Sequence, residues 1–173
     1  MKNLFKNMKN LLVVVLIACS LNGFAQKKEL IWHTDVNKAI KISTETNKPL
    51  FLFFTGSDWC GWCKRLVKEV FIKPEFAAWA NKNLVLVELD FNSATRRKIQ
   101  AARAGKATLT KQEQEMLELQ GAFGVRGYPT GWFVIPKPEN GKVNLNNKLG
   151  SQGYVAGGPG AWIAGANNII KNK

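Results

Sequence analysis

Two short apolar runs constrain the fold of this chain more than any other feature. Residues 49–54 read PLFLFF, and residues 84–89 read LVLVEL. Runs of this length are typical of strands that are buried on both faces of a sheet covered by helices. With 173 residues, the chain is long enough for one domain with a sizeable core.

The remaining patterns place helices and two further strands around these runs. A third strand is predicted over residues 132–135, and an Asn140-Gly141 turn leads to an edge strand over residues 142–149. Residues 91–111 are polar and basic, and are predicted to form a helical or irregular insertion. Helix starts are predicted at Asp35, Cys60, Pro74, Thr110 and Pro159. The order β-α-β-α-β-β-α predicts an α/β fold with a central mixed β-sheet flanked by helices on both faces.

The N-terminus has the pattern of an export signal. Three lysines precede an apolar run at residues 11–18, which is too short to span a bilayer. The small residues in GFA at 23–25 fit a signal-peptidase site. We therefore predict a cleaved signal peptide at residues 1–25, a mature domain at residues 26–173, and export to the periplasm.

A second processing route stays open. Leu16-Ile17-Ala18-Cys19 resembles a bacterial lipoprotein box, which would leave Cys19 as a lipidated N-terminus. Membrane association is expected only in that case. Both routes take the protein out of the cytoplasm.

The charge balance is basic. The formal net charge of +13 falls to +10 when the three lysines of the export signal are removed. A basic protein can bind nucleic acid or an anionic membrane. The cations are scattered here, with no basic run longer than three residues, so a nucleic-acid partner is not expected.

Two of the three cysteines, Cys60 and Cys63, stand three positions apart. A tetrahedral zinc site needs about four ligands, whereas the chain offers this pair and a single histidine, His33. A structural disulfide here would close a very small ring, which removes little freedom from the unfolded chain. Neither a metal site nor a structural staple explains the pair, and no cofactor is expected.

Thiol chemistry does explain it. Unpaired backbone N–H groups and the dipole at a helix N-terminus would stabilise a thiolate on Cys60. Cys63 would lie one turn further on, more deeply buried, where it can attack a mixed disulfide on Cys60. Cys60 is the expected nucleophile and Cys63 the resolving thiol. Lys64 and Arg65 are read as ordinary surface cations.

The segment GSDWCGWCK at residues 56–64, together with Tyr128-Pro129-Thr130, resembles the thioredoxin superfamily, in particular exported bacterial thioredoxin-like proteins. The resemblance covers roughly residues 30–171. It implies a thioredoxin-like fold and a thiol–disulfide oxidoreductase that reduces, isomerises or forms protein disulfides through Cys60 and Cys63. The implied partners are protein thiols and disulfides and a membrane-bound electron donor or acceptor.

The resemblance also implies substrate-contact residues. A cis peptide is expected before Pro129, with the Tyr128 backbone available to pair with an extended substrate segment. Trp59 is expected to contact substrate beside the nucleophile, and Trp62 to form part of an exposed apolar docking patch. Three other residues are read as structural: Trp32, His33 and Trp79.

Two positions depart from the thioredoxin pattern. Phe54 occupies the position of the buried aspartate six residues before the first cysteine, and Trp62 replaces the proline before the second. The usual proton acceptor for the resolving thiol is thus missing. We expect Glu88 to replace it, because burial in an apolar strand raises a carboxyl pKa; the alternative is a solvated glutamate at a sheet edge.

A different class of function stays open. A thioredoxin-fold binding module without redox activity could hold a polypeptide or an anionic partner on its basic, tryptophan-rich surface. The intact cysteine pair argues against it.

Overall fold

The computed structural model describes residues 29–139 and 142–171. The predicted signal peptide at residues 1–25, the alternative processing at Cys19 and the predicted turn at residues 140–141 lie outside the described residues. In the part of the chain that is described, no helix is long and apolar enough to cross a bilayer.

The centre of the molecule is a five-stranded mixed sheet with the strand order β1-β3-β2-β4-β5. The two apolar runs form β2 and β3, which lie side by side in parallel. β1 is also parallel to β3, whereas β4 is antiparallel to both β2 and β5. The strands are β1 Trp32–His33, β2 Leu50–Thr55, β3 Val85–Asp90, β4 Thr130–Glu139 and β5 Lys142–Gln152. The predicted α/β class, the mixed sheet and the edge position of the last strand are confirmed.

Six α-helices cover the sheet: α1 Val36–Thr46, α2 Gly61–Leu66, α3 Pro74–Asn83, α4 Ser93–Arg103, α5 Lys111–Ala122 and α6 Gly158–Lys171. Asp35 and Thr110 cap α1 and α5 as predicted, the latter in a full capping box with Glu113. The polar segment at residues 91–111 contains α4, so its helical interpretation is confirmed. An unpredicted π-helical turn, Val67–Phe71, continues α2.

The two faces of the sheet carry different cores. Alternate residues of β2 point in opposite directions, so Leu52 and Phe54 belong to one core while Phe51 and Phe53 belong to the other. The first core packs beneath α1, α4 and α5. The second is rich in aromatic rings and lies beneath α2, the π-helical turn, α3 and α6, with Trp162 fully buried at its centre. Both cores extend to the end of β2, and the loop that leads to the cysteine pair starts there.

Candidate active site

The cysteine pair lies where the central strand β2 gives way to a helix. Cys60 is the N-cap residue of α2, with extended backbone angles, and Cys63 lies within the first turn. The two form a disulfide, and Cys60 Sγ also accepts a hydrogen bond from the Cys63 N–H at 3.2 Å. Cys60 is 6% exposed and Cys63 1% exposed. The predicted helix start and the deeper burial of Cys63 are therefore confirmed.

A tight loop sets the position of Trp59 beside the nucleophile. The backbone N–H groups of Trp59 and Cys60 both donate to the carbonyl of Gly56. A Cβ atom at Gly56 would lie 2.4 Å from the Trp59 ring, so only glycine fits. The indole N–H of Trp59 donates to the backbone carbonyl of Phe91 at 2.8 Å. The ring is thus held from both sides.

Two aspartates join this loop to the start of α4. The backbone N–H of Ser93 donates to the Asp58 carboxylate at 3.0 and 3.1 Å. The N–H and hydroxyl of Ser57 donate to Asp90 at 2.9 and 2.6 Å. Partial desolvation raises the pKa of Asp58, but hydrogen bonds, chiefly those from Ser93, and the charge of Lys64 together outweigh it, so the net shift is downward. Sequence reasoning missed both aspartates, although Asp58 lies within the quoted motif and Asp90 directly follows the strand run.

Tyr128 and Pro129 face the cysteine loop from the start of β4. The peptide bond between them is cis, as the resemblance implies. The Tyr128 ring meets the Trp59 ring edge-on, with centroids 5.6 Å apart, and its hydroxyl accepts a hydrogen bond from Gln120 Nε2 at 2.5 Å. Burial raises the pKa of Tyr128 to about 12, although Arg96 opposes the shift. The phenol therefore stays protonated at neutral pH.

Trp62 lies on the opposite side of the cysteine pair and is 55% exposed, as predicted for a docking patch. Its ring packs against Tyr154 at 5.2 Å, and the Arg65 guanidinium lies 5.4 Å from the Trp62 ring centroid. Arg65 Nε and the Tyr154 hydroxyl both donate to Glu69, at 2.8 and 2.5 Å. Both hydrogen bonds lower the pKa of Glu69, and the one from Tyr154 has the larger effect. Arg65 is therefore a surface cation, as predicted, that also contacts the Trp62 ring and pairs with Glu69; the i, i+4 spacing from Glu69 was the available signal for the pair.

Glu88 lies on β3 opposite Phe53 in the parallel register and is half-buried. It shares with Cys63 the lining of a cleft of about 350 Å³ beside the π-helical turn. Burial raises the pKa of Glu88, and the negative charge of Asp90 adds a smaller upward shift. The predicted direction of the shift is confirmed, and the carboxyl is not fully solvated.

Two tryptophans that the sequence analysis reads as structural, Trp32 and Trp79, belong to the aromatic core or its rim. Trp32 packs its ring among Phe53 and Phe71 in the aromatic core, and Trp79 donates to Asn167 from the rim of the same core. No group of three or more histidine, cysteine, aspartate or glutamate side chains that could hold a metal lies together among the described residues.

The strand-to-helix placement of the cysteine pair, opposite a cis-proline, is that of a thiol–disulfide oxidoreductase with a thioredoxin-like fold. A family model described as "Thioredoxin-like domain" matches residues 36–146, and the chain belongs to this family. The resemblance of GSDWCGWCK and the Tyr-Pro-Thr segment to the thioredoxin superfamily is confirmed.

Similar proteins agree with this class. The chain is 29% identical over 134 residues to the "Disulfide bond reductase DsbH" of Chlamydia pneumoniae, a match that spans 78% of this chain and 69% of that protein. It is 39% identical over 62 residues to the "Thioredoxin-related protein DsbJ" of the same organism, but that match spans only 36% of this chain and 18% of DsbJ.

Solved structures give the same result. A structure described as "DsbH Oxidoreductase" matches with a TM-score of 0.64 and 27% identity, over 84% of this chain and 87% of that one. A thioredoxin from Thermus thermophilus matches with a TM-score of 0.54 over 82% and 87% of the two chains. At 15% identity, the second match supports the fold alone.

Proposed function

We propose that this protein is an exported disulfide reductase in which Cys60 attacks the disulfide of a polypeptide substrate and Cys63 resolves the mixed disulfide. The observation that carries the proposal is the position of Cys60 at the N-cap of α2, where its Sγ accepts the Cys63 N–H. The same donor would stabilise a thiolate there. The similarity to a protein named as a disulfide bond reductase favours reduction over the other directions that the sequence leaves open.

The proposed reaction is two successive thiol–disulfide exchanges. In the first, the Cys60 thiolate forms a bond to one substrate sulfur, and the substrate S–S bond breaks, releasing the other sulfur as a thiolate. In the second, the Cys63 thiolate attacks Cys60 Sγ, and the first substrate sulfur leaves. The substrate gains two electrons and, with two protons, becomes a dithiol, while the enzyme becomes the Cys60–Cys63 disulfide.

A partner dithiol must then reduce the enzyme disulfide by the same exchange in reverse. An oxidising compartment does not supply reduced thiols on its own. The proposed partner is therefore a membrane-bound electron donor that carries a dithiol. The export pattern at residues 1–25 supports a periplasmic location, with lipidation at Cys19 as the alternative route to the same compartment.

Four residues are proposed to contact the substrate around Cys60. Trp59 and Trp62 flank it in sequence, and both rings are exposed. Tyr128 precedes β4, whose ladder begins at Thr130, so an extended substrate segment can pair with the Tyr128 backbone beside Pro129.

Glu88 is proposed to accept the proton of Cys63 before the second exchange. A carboxyl with a raised pKa, in the cleft that Cys63 also lines, is suited to this task at near-neutral pH. In Glu88→Gln, we expect the rate of Cys63 alkylation to shift to higher pH, because the neutral amide cannot take the proton. An unchanged pH profile, measured against Glu75→Gln on α3 as a control, would exclude this role.

The function itself is tested with insulin reduction by dithiothreitol. We expect wild-type protein to accelerate it, Cys60→Ser to lose the acceleration, and Cys63→Ser to accumulate a mixed disulfide visible by mass spectrometry. Equal rates for wild type and Cys60→Ser would favour a binding module instead. A glutathione titration of the Cys60–Cys63 pair then gives the reduction potential, which must be low enough for a reductase.

A further inference from the structure

A second cleft lies between α4, α5 and the start of β4, and the Trp59 ring lines it. It has a volume of about 260 Å³. Its floor is apolar, made by Phe91, Ile99 and Leu117, and one wall is formed by the Trp59 and Tyr128 rings. Trp59 directly precedes Cys60 in the chain, and its ring contacts Tyr128, so the cleft shares two residues with the surroundings of the cysteine pair.

Two arginines of α4, Arg96 and Arg103, lie on the rim of this cleft, seven positions and therefore two turns apart. The Arg96 guanidinium lies 4.4 Å from the centroid of the Trp59 ring. The ion pairs of the described residues join Lys41 to Glu45, Arg65 to Glu69 and Lys98 to Glu113. Within that part of the chain, no carboxylate therefore neutralises either rim arginine.

The sequence explains why the rim keeps its charge. Residues 91–112 contain six lysines and arginines and no aspartate or glutamate. Two acidic groups that contact the loop beside Trp59 or the start of α4, Asp58 and Asp90, accept hydrogen bonds from Ser93 and Ser57. The rim is thus a positively charged surface, and no described residue accepts a hydrogen bond from the Arg96 or Arg103 guanidinium, so these donors can meet an incoming anion.

We propose that this cleft binds an acidic side chain of the substrate polypeptide, close in sequence to the disulfide that Cys60 attacks. The proposal deepens the proposed reductase function and rests on it. A glutamate side chain fits both parts of the cleft, because its methylene groups can cover the apolar floor while its carboxylate meets the arginines. The volume is below the roughly 300–1,000 Å³ of clefts that hold whole drug-sized ligands, so it suits one or two side chains.

The wall of the cleft adds a hydrogen-bond donor. The Tyr128 hydroxyl accepts from Gln120 and stays protonated at neutral pH, so its own hydrogen can point to a carboxylate. An inorganic anion would meet the arginines equally well but would leave the apolar floor uncovered. The combination of floor, phenol and guanidinium groups therefore favours an amphipathic acidic side chain.

The test compares two fluorogenic peptides that share one disulfide and differ only in glutamate or glutamine beside it. We expect the wild type to reduce the glutamate peptide about two- to fivefold faster at low salt, the size typical of one or two exposed charge pairs. Arg103→Gln should lower that ratio and Arg103→Glu should invert it. Arg97→Gln, on the same helix but outside the cleft, should leave the ratio at the wild-type value. A wild-type ratio of one, or equal ratios in the Arg97 and Arg103 variants, overturns the proposal.

A second measurement separates this proposal from the reductase function. Thiol-free versions of the two peptides are titrated into the oxidised protein, and the NMR signal of the Trp59 indole N–H is followed. A shift with the glutamate peptide but not with the glutamine peptide supports the cleft, even if neither disulfide peptide is reduced and the reductase proposal fails. No shift, or an equal shift with inorganic phosphate, overturns the assignment to an acidic side chain.

Discussion

Trp59 and Trp62 are the same residue type on either side of Cys60, yet the protein holds them differently. Trp59 makes a hydrogen bond to a buried backbone carbonyl, packs edge-on against Tyr128 and fills the space above Gly56. Among the described residues, Trp62 makes ring contacts to Tyr154 and Arg65 but no hydrogen bond, and it is more exposed than Trp59, at 55% against 38%.

The difference in how the two rings are held suggests that they do different things at the active site. Trp59 is fixed by polar and steric contacts that a moving ring would break, so it behaves as a rigid wall beside the nucleophile. Trp62 rests on a surface network whose members are themselves exposed, so its ring can adjust to a partner at little cost. Three experiments sharpen or break this contrast.

The largest effect is expected from Gly56→Ala. The new methyl group would lie 2.4 Å from the Trp59 ring, which must leave its place and lose the hydrogen bond to the Phe91 carbonyl. We expect a loss of about 1–3 kcal/mol in the free energy of unfolding, as for other overpacked sites, together with slower insulin reduction.

The matched control for that substitution is Gly121→Ala in α5, where a Cβ atom meets nothing within 4 Å. An exposed glycine-to-alanine change in a helix should stabilise the protein by up to about 1 kcal/mol. If chemical denaturation gives both variants the same stability, the tight contact at Gly56 does not constrain Trp59.

Replacing each tryptophan by phenylalanine compares the two rings directly. Trp59→Phe leaves the Phe91 carbonyl without its donor, and an unsatisfied buried acceptor costs about 1–3 kcal/mol. Trp62→Phe should change the unfolding free energy by no more than about 0.5 kcal/mol, because the ring is largely exposed. Equal losses in urea denaturation would mean that Trp62 is as firmly held as Trp59.

The smallest effect is expected from Glu69→Gln. Hydrogen bonds from Tyr154 and Arg65 hold the pKa of Glu69 below its ordinary value, so the network is intact above that ordinary value and is lost as the pH falls through the lowered pKa. We expect the NMR signal of the Trp62 indole N–H to move with pH in this acidic range in the wild type and to stay constant in Glu69→Gln.

The control for this titration is Glu45→Gln, which removes a carboxylate from an exposed pair with Lys41 at 4.0 Å. It should keep the wild-type titration of the Trp62 signal. If the Trp62 signal still changes with pH in Glu69→Gln, another titrating group must support the ring.

Much of the fold could be predicted because its signals are local. Apolar runs at residues 49–54 and 84–89 became β2 and β3 with shifts of one residue, and Asp35 and Thr110 cap helices as their sequence context predicts. The π-helical turn could not be predicted. The buried residues Leu66, Val70 and Phe71 fit an ordinary α-helical stripe equally well, so the sequence pattern does not distinguish it from the observed turn, in which the Ile72 N–H donates to the Val67 carbonyl.

The active site, like the fold, has features that the sequence predicts and features that it does not. The cysteines and Pro129 were evident because short motifs carry them. The bonds that hold the loop were not evident, since Asp58 and Ser93 are 35 positions apart and Ser57 and Asp90 are 33 apart. No periodicity links such residues; only the parallel pairing of β2 with β3 brings their ends together.

The reciprocal hydrogen bonds between these two loops have a consequence for protein engineering. Since each loop supplies an acceptor to the other, grafting the cysteine segment alone into a foreign scaffold would leave the Asp58 carboxylate, and the N–H and hydroxyl of Ser57, without their partners. The smallest transplantable unit comprises residues 56–63 and 90–93 as a matched set, and random shuffling of either half should yield mostly inactive chimeras.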